Sequence, residues 1–231
     1  MLSLLAGTAF GAFAGFVPGL LKAKFKVDEA VATILLNLPA VFFTLYLVSG
    51  PIKDRESPVP ASPIIPSASW LPSFGSNGGF TSGVVVAAAM IVATWFLLTR
   101  TKVGLGIRVM GGNLKTAERM GVNTKRLTWL SMTVSGAFGG LAGSVLLQGV
   151  THVLSDGISS GFGFTGIAVS ALAGNNPLFL PFSALLFAVF TVGGFLASGS
   201  MGVANSFIGT ITAVIIIVVL LKAYLRKSLA S

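Results

Sequence analysis

Seven apolar runs alternate with short polar segments along this chain, near residues 2–21, 30–49, 82–99, 128–149, 162–173, 178–197 and 205–222. Six of them are about long enough to cross a ~30 Å hydrocarbon core as helices. The run 162–173 is shorter, and Gly174-Asn175-Asn176-Pro177 follows it as a turn and helix breaker. It is a half-helix, a re-entrant element or a short crossing. The pattern predicts an all-α, polytopic transmembrane helical bundle forming a single domain over 1–231.

Charge orients this bundle. Seven of the fifteen Lys/Arg residues lie between Arg100 and Arg126, a stretch with one acid, Glu118. Residues 57–99 carry no charge, and 127–221 carry only Asp156. By the positive-inside rule, the 100–126 loop is cytoplasmic. Lys22, Lys24 and Lys26 place the first short loop there, and Lys222, Arg226 and Lys227 place the C-terminus there. These assignments agree if every run crosses, so a short or tilted crossing at 162–173 is favoured. Residue 1 then lies outside, which suggests a chain short at its N-terminus. The 50–80 segment, with prolines at 51, 58, 60, 63, 66 and 72, is an irregular outer loop. Its apolar Ile64, Ile65 and Trp70 predict partial packing over the bundle.

Composition narrows the class further. The chain is 54% hydrophobic and 9% charged, against about 25% charged in a soluble domain. The net charge of +9 follows the ends of apolar runs, so topology explains it better than nucleic-acid binding. Without cysteine and with one histidine, disulfides are excluded and a protein-only metal site is implausible. Residues 1–21 lack the basic start and small-residue cleavage site of a signal peptide.

Small residues predict tight helix packing. Gly7, Gly11, Gly15 and Gly19 recur every four residues on one face. Gly136/Gly140 and Gly139/Gly143 repeat the device in the fourth run. Glu29, Thr33, Asn37 and Thr44 form a polar stripe on the second run, with Asn37 roughly mid-span. This stripe is either a lining of a translocation pathway or a set of interhelical hydrogen bonds. Pro39 predicts a kink. Gln148, Thr151, His152 and Asp156 cluster at the outer end of the fourth run. His152 and Asp156 would pair if the helix continued, and Gln148 is a further pathway candidate. Asn175 and Asn176 suit the turn, and Asn205 suits a cap on the last run.

No phosphate-binding GxxxxGK[ST] loop is present, so nucleotide hydrolysis is not performed by this chain. No nucleophile–base pair and no midplane carboxylate for an ion cycle is visible. A polar bundle without an energy source points to a subunit driven by a separate motor. Within the basic loop, Asn113 is placed to cap a helix over Leu114–Met120, and Gly121 to stop it. A glycine-bounded, two-turn helix of this kind suits docking to a cytoplasmic partner.

Gly104, Arg108, Gly111, Asn113, Ala117, Gly121, Val122 and Asn123, followed by Ser135, Gly136, Gly140, Ala142 and Gly143, form a pattern. It resembles the ABC-importer permeases of the ribose, branched-chain amino acid and nucleoside family. Thr116 stands where that pattern has alanine. GLLKAKFKVDEAVATILLN at 19–37 is similar to the simple-sugar and nucleoside branch. The resemblance implies a permease subunit in a prokaryotic inner membrane, with no catalytic residue and no cofactor in this chain, because partner subunits use the ATP. It further implies cytoplasmic ABC ATPases, a second identical or paralogous permease subunit and an extracytoplasmic solute-binding protein as partners. It makes Arg108, Gly111, Asn113, Ala117, Glu118 and Gly121 candidates for ATPase coupling. Rival readings are a stand-alone secondary transporter or channel using the break at Asn175–Pro177, and a truncated, non-transporting remnant.

Overall fold

The computed structural model describes residues 2–74 and 80–201, together with 210, 214, 217 and 218. The run 205–222 and the cap expected at Asn205 therefore lie almost wholly outside the described residues. The remainder is helical: α1 Leu2–Phe25, α2 Glu29–Ser49, α3 Gly83–Arg100, α4 Lys102–Gly112, α5 Leu114–Arg119, α6 Thr124–Leu146, α7 Phe162–Leu172 and α8 Leu180–Met201. Among the described residues the strands are β1 Ser73–Phe74 and β2 Phe80–Thr81, paired antiparallel. Four helices are long and apolar enough to cross a membrane among the described residues, α1, α2, α3 and α6 with its extension to Thr151. The protein is an all-α polytopic membrane bundle.

The chain divides into two compact units, Met1–Ile158 and Ser159–Ser231. In the first, α1 and α6 pack antiparallel along a seam of glycines. A Cβ on Gly11 would lie 2.4 Å from the Gly136 carbonyl oxygen, and one on Gly140 would lie 2.1 Å from that of Gly7. Gly15 meets Met132 and Gly136, and Gly19 meets Trp129. Lipid tails are as apolar as leucine, so helices gain by close backbone approach rather than by hiding apolar surface. This explains why Phe10, Phe13, Leu35, Phe42 and Phe43 are exposed. Gly139 and Gly143 stand off the seam, because a Cβ on either meets nothing within 4 Å. Among the described residues, the close approach of α6 to α1 follows Gly136 and Gly140, and Gly143 makes no such contact.

Helix ends follow local chemistry. α1 closes at Lys26, whose φ is 58° and whose N–H donates to the Lys22 carbonyl at 3.0 Å. Asp28 caps α2, its Oδ1 accepting from the N–H groups of Ala30 and Val31. α2 runs on as helix through Pro39 to Ser49.

In the second unit, Ala168 and Val169 of α7 and Phe187 of α8 form a small core, with Leu180 against it. The eleven residues of α7 rise only about 16 Å. Gly174 and Asn175 both take left-handed backbone after α7. Ser170 Oγ donates to Asn175 Oδ1 at 3.1 Å, and Asn176 Oδ1 accepts from Leu178 N–H. Both asparagines thus serve the turn.

Candidate functional site

The basic loop is more ordered than its glycines suggest. Residues 102–112 form α4, a helix that four glycines within eleven residues hide from propensity arguments. Thr101 caps it, accepting from Gly104 N–H at 3.0 Å while donating to the Leu97 carbonyl. A Cβ on Gly104 would fall 2.0 Å from that carbonyl oxygen, so glycine lets α4 fold back tightly on the end of α3. Gly106 does the same against Leu127 of α6.

Asn113 then serves two helices. Its N–H closes α4 on the Val109 carbonyl, and its Oδ1 caps α5 by accepting from Lys115 and Thr116. Gly121, at φ 76°, turns the chain after α5, with Val122 N–H returning to the Ala117 carbonyl at 3.1 Å. Asn123 caps α6 through Arg126 N–H. Glu118 accepts weakly from Thr124 Oγ1 at 3.4 Å. The result is a pair of capped helices, α4 and α5, joined at Asn113 between α3 and α6.

Of the residues expected at the coupling site, Arg108, Gly111, Asn113, Glu118 and Gly121 are exposed. Ala117 is fully buried. Asn113 and Gly121 shape the backbone. Leu114 and Met120 are both more than half exposed, flanked by Lys115, Glu118 and Arg119. Leu114 and Met120 thus face outward from α5 and pack into no core among the described residues.

The stripe on α2 keeps its helical spacing, and Glu29, Thr33 and Asn37 are exposed. Glu29 pairs with Lys22 of α1. Thr33 donates back to the Glu29 carbonyl at 2.8 Å, and Thr44 to that of Ala40 at 2.9 Å. Asn37 is exposed, and its amide makes no hydrogen bond among the described residues. An unpaired amide near mid-span needs a neighbour or water. Gln148 lies apart from this stripe in local structure, buried at the far end of α6.

There, Leu147–Thr151 form a π-helical turn, and the helix ends at His152 with φ 55°. The pairing expected between His152 and Asp156 is therefore corrected: the helical spacing it needed stops four residues too soon. His152 stacks on Trp70 instead, with ring centroids 3.9 Å apart and planes at 15°. The 61–71 segment runs as a strap along this end. Ser62 N–H donates to Leu154, Ile65 N–H to His152 and Leu71 N–H to the Gln148 carbonyl, all at 2.8–3.0 Å. Ala61 and Ser155 form an antiparallel bridge. Trp70 Nε1 donates to the Ile65 carbonyl. Of the apolar residues expected to pack here, Ile64 stays exposed while Trp70 stacks on His152; nothing in spacing foretold the pairing partner. No group of metal-ligating residues occurs among the described residues.

A model of the branched-chain amino acid transport system / permease component family matches residues 1–224. The chain belongs to this family. Nucleoside ABC transporter permease protein NupB of Lactococcus lactis is 32% identical, over 96% of this chain and 63% of its own length. Guanosine ABC transporter permease protein NupP of Bacillus subtilis is 31% identical, over 94% of this chain and 64% of its own. Fructose import permease protein FrcC of Rhizobium meliloti is 28% identical, over 83% and 55% respectively. The chain thus spans less than two thirds of these relatives. No solved structure matches it.

Proposed function

We propose that this chain is the membrane-spanning permease subunit of an ATP-driven importer of nucleosides or simple sugars. The observation that carries the reading is α5. It is a six-residue helix capped by Asn113, buried through Ala117 and presenting Leu114 and Met120 outward. A family whose relatives are named as nucleoside, guanosine and fructose permeases supplies the class of solute.

In this reading the chain uses no cofactor and performs no chemistry. Separate ATPase subunits bind and hydrolyse ATP in the cytoplasm, seating a groove on Leu114 and Met120. Motion reaches the membrane because α4 abuts α3 at Gly104 and α6 at Gly106. A second permease subunit covers α2, so that Glu29, Thr33 and Asn37 line a shared pathway. A binding protein delivers solute on the opposite side, where the strap lies. Lys222, Arg226 and Lys227 keep the C-terminus in the cytoplasm of a prokaryotic inner membrane.

The test is co-expression with an ABC ATPase of a nucleoside or sugar importer. Labelled nucleoside uptake should survive collapse of the ion gradient while ATP is maintained. The pair Leu114→Asp/Met120→Asp should remove ATPase co-purification without changing helical content. Uptake that stops with the gradient, or co-purification that persists in the variant, would overturn the reading.

A further inference from the structure

The glycine seam fixes an antiparallel register in which Gly15 meets Gly136 and Gly19 meets Trp129. Extended one to two turns past Gly19, that register brings the end of α1 level with the start of α6. Lys22, Lys24 and Lys26 therefore gather at the same end of the pair as Lys125 and Arg126. Helices in such close contact hold these charges within about a Debye length of one another. Both carboxylates beside them in sequence are engaged. Glu29 pairs with Lys22, and Asp28 caps α2. The other four bases form no ion pair among the described residues.

Two details mark this rim as more than a topological signal. Lys26 occupies the left-handed position that closes α1, where glycine is ordinarily found because a Cβ is strained there. A chain with 29 glycines keeps a lysine at that strained position. Beside it, Lys24 Nζ lies 5.6 Å from the centre of the Phe25 ring, and Phe25 is exposed. A cation beside an exposed aromatic ring at a helix end suits the membrane–water boundary. Leu20 and Val31, on the adjoining turns of α1 and α2, are exposed and apolar.

We infer that this rim is a binding site for an anionic phospholipid. Lys24 and Lys26 attract the headgroup phosphate, Lys125 and Arg126 add to the field, and acyl chains lie along Leu20, Phe25 and Val31. A zwitterionic lipid is disfavoured because its own ammonium meets four unpaired bases. The inference rests on charge and register, and it stands whether or not the chain serves an importer.

Native mass spectrometry of the full chain in mild detergent, with equimolar phosphatidylglycerol and phosphatidylcholine competing, tests it. The native chain should retain phosphatidylglycerol in preference by about fivefold for each base engaged. The double variant Lys24→Gln/Lys26→Gly should bring the ratio towards one. Glycine suits the backbone at position 26, so the variant should keep its unfolding temperature in phosphatidylcholine. Lys26→Arg should keep the preference, and about 0.5 M salt should weaken it. A ratio near one in the native chain, or an unchanged ratio in the double variant, overturns the site. So does a variant that loses ATPase co-purification while its lipid preference is intact, because the rim would then be a protein contact.

Discussion

Gly11 and Gly136 sit so close that a Cβ on either would lie within 2.4 Å of the other's carbonyl oxygen. The obstacle on each side is backbone, which cannot swing aside as a flexible side chain does.

Gly11→Leu should therefore separate α1 from α6, at a cost above the ~1–3 kcal/mol of ordinary overpacking. Gly143→Ala should do the reverse. Open space surrounds its added methyl group, and alanine gains about 0.8–1.0 kcal/mol of helix propensity over glycine. Thermal unfolding in detergent compares the two. Equal loss of stability in both would mean that the seam does not depend on close approach.

At the coupling hairpin, burial separates anchors from contacts. Ala117 is wholly buried, so Ala117→Arg should disorder α5 and reduce helical content along with any ATPase association. Asn113→Ala should cost about 1 kcal/mol through loss of the cap, whereas Asn113→Asp should retain most of it. Limited proteolysis between α4 and α6 reads both. A cut rate unchanged in Asn113→Ala would show that packing alone holds the hairpin.

The strap depends on Trp70. Trp70→Ala removes the stack on His152, worth about 0.5–1.5 kcal/mol, and the Nε1 bond to Ile65, worth about as much again. Amide exchange at Ile65, Leu71 and Leu154 should quicken roughly tenfold or more, since ~1.4 kcal/mol is a factor of ten. His152→Gly should quicken it less, because glycine accepts the left-handed backbone at φ 55° without strain. Equal effects of the two would assign the strap's order to the backbone bonds.

Local signals were readable in the sequence; long-range partners were not. The fourfold glycine spacing identified the α1 face, and Asn113 and Gly121 bounded α5, because caps and close approach depend on residue type at a fixed position. The choice of Gly136/Gly140 over Gly139/Gly143 depends on how α6 is rotated, which equivalent spacings do not encode. α4 was hidden because its glycines serve contacts with Leu97 and Leu127 that outweigh poor propensity. The strap pairs mainly by backbone groups, which leave no side-chain signature, and Ser62 and Leu154 stand 92 residues apart along the chain.

Asn37 remains the sharpest test of what α2 faces. Within the chain its amide is exposed and unpaired among the described residues, so Asn37→Leu breaks no internal bond. Replacement by leucine should leave unfolding in detergent within about 0.5 kcal/mol of native, as for a surface site. If α2 lines a pathway, the same change should lower solute uptake severalfold while ATPase association is unaltered. If α2 packs against another subunit through this amide, the permease pair should dissociate first, and size-exclusion chromatography would show it before any transport assay. If lipid alone covers α2, leucine should be tolerated or favoured, with uptake at the native rate. Measuring oligomeric state and uptake on one preparation separates these outcomes, because only the pathway lowers transport while leaving the assembly whole.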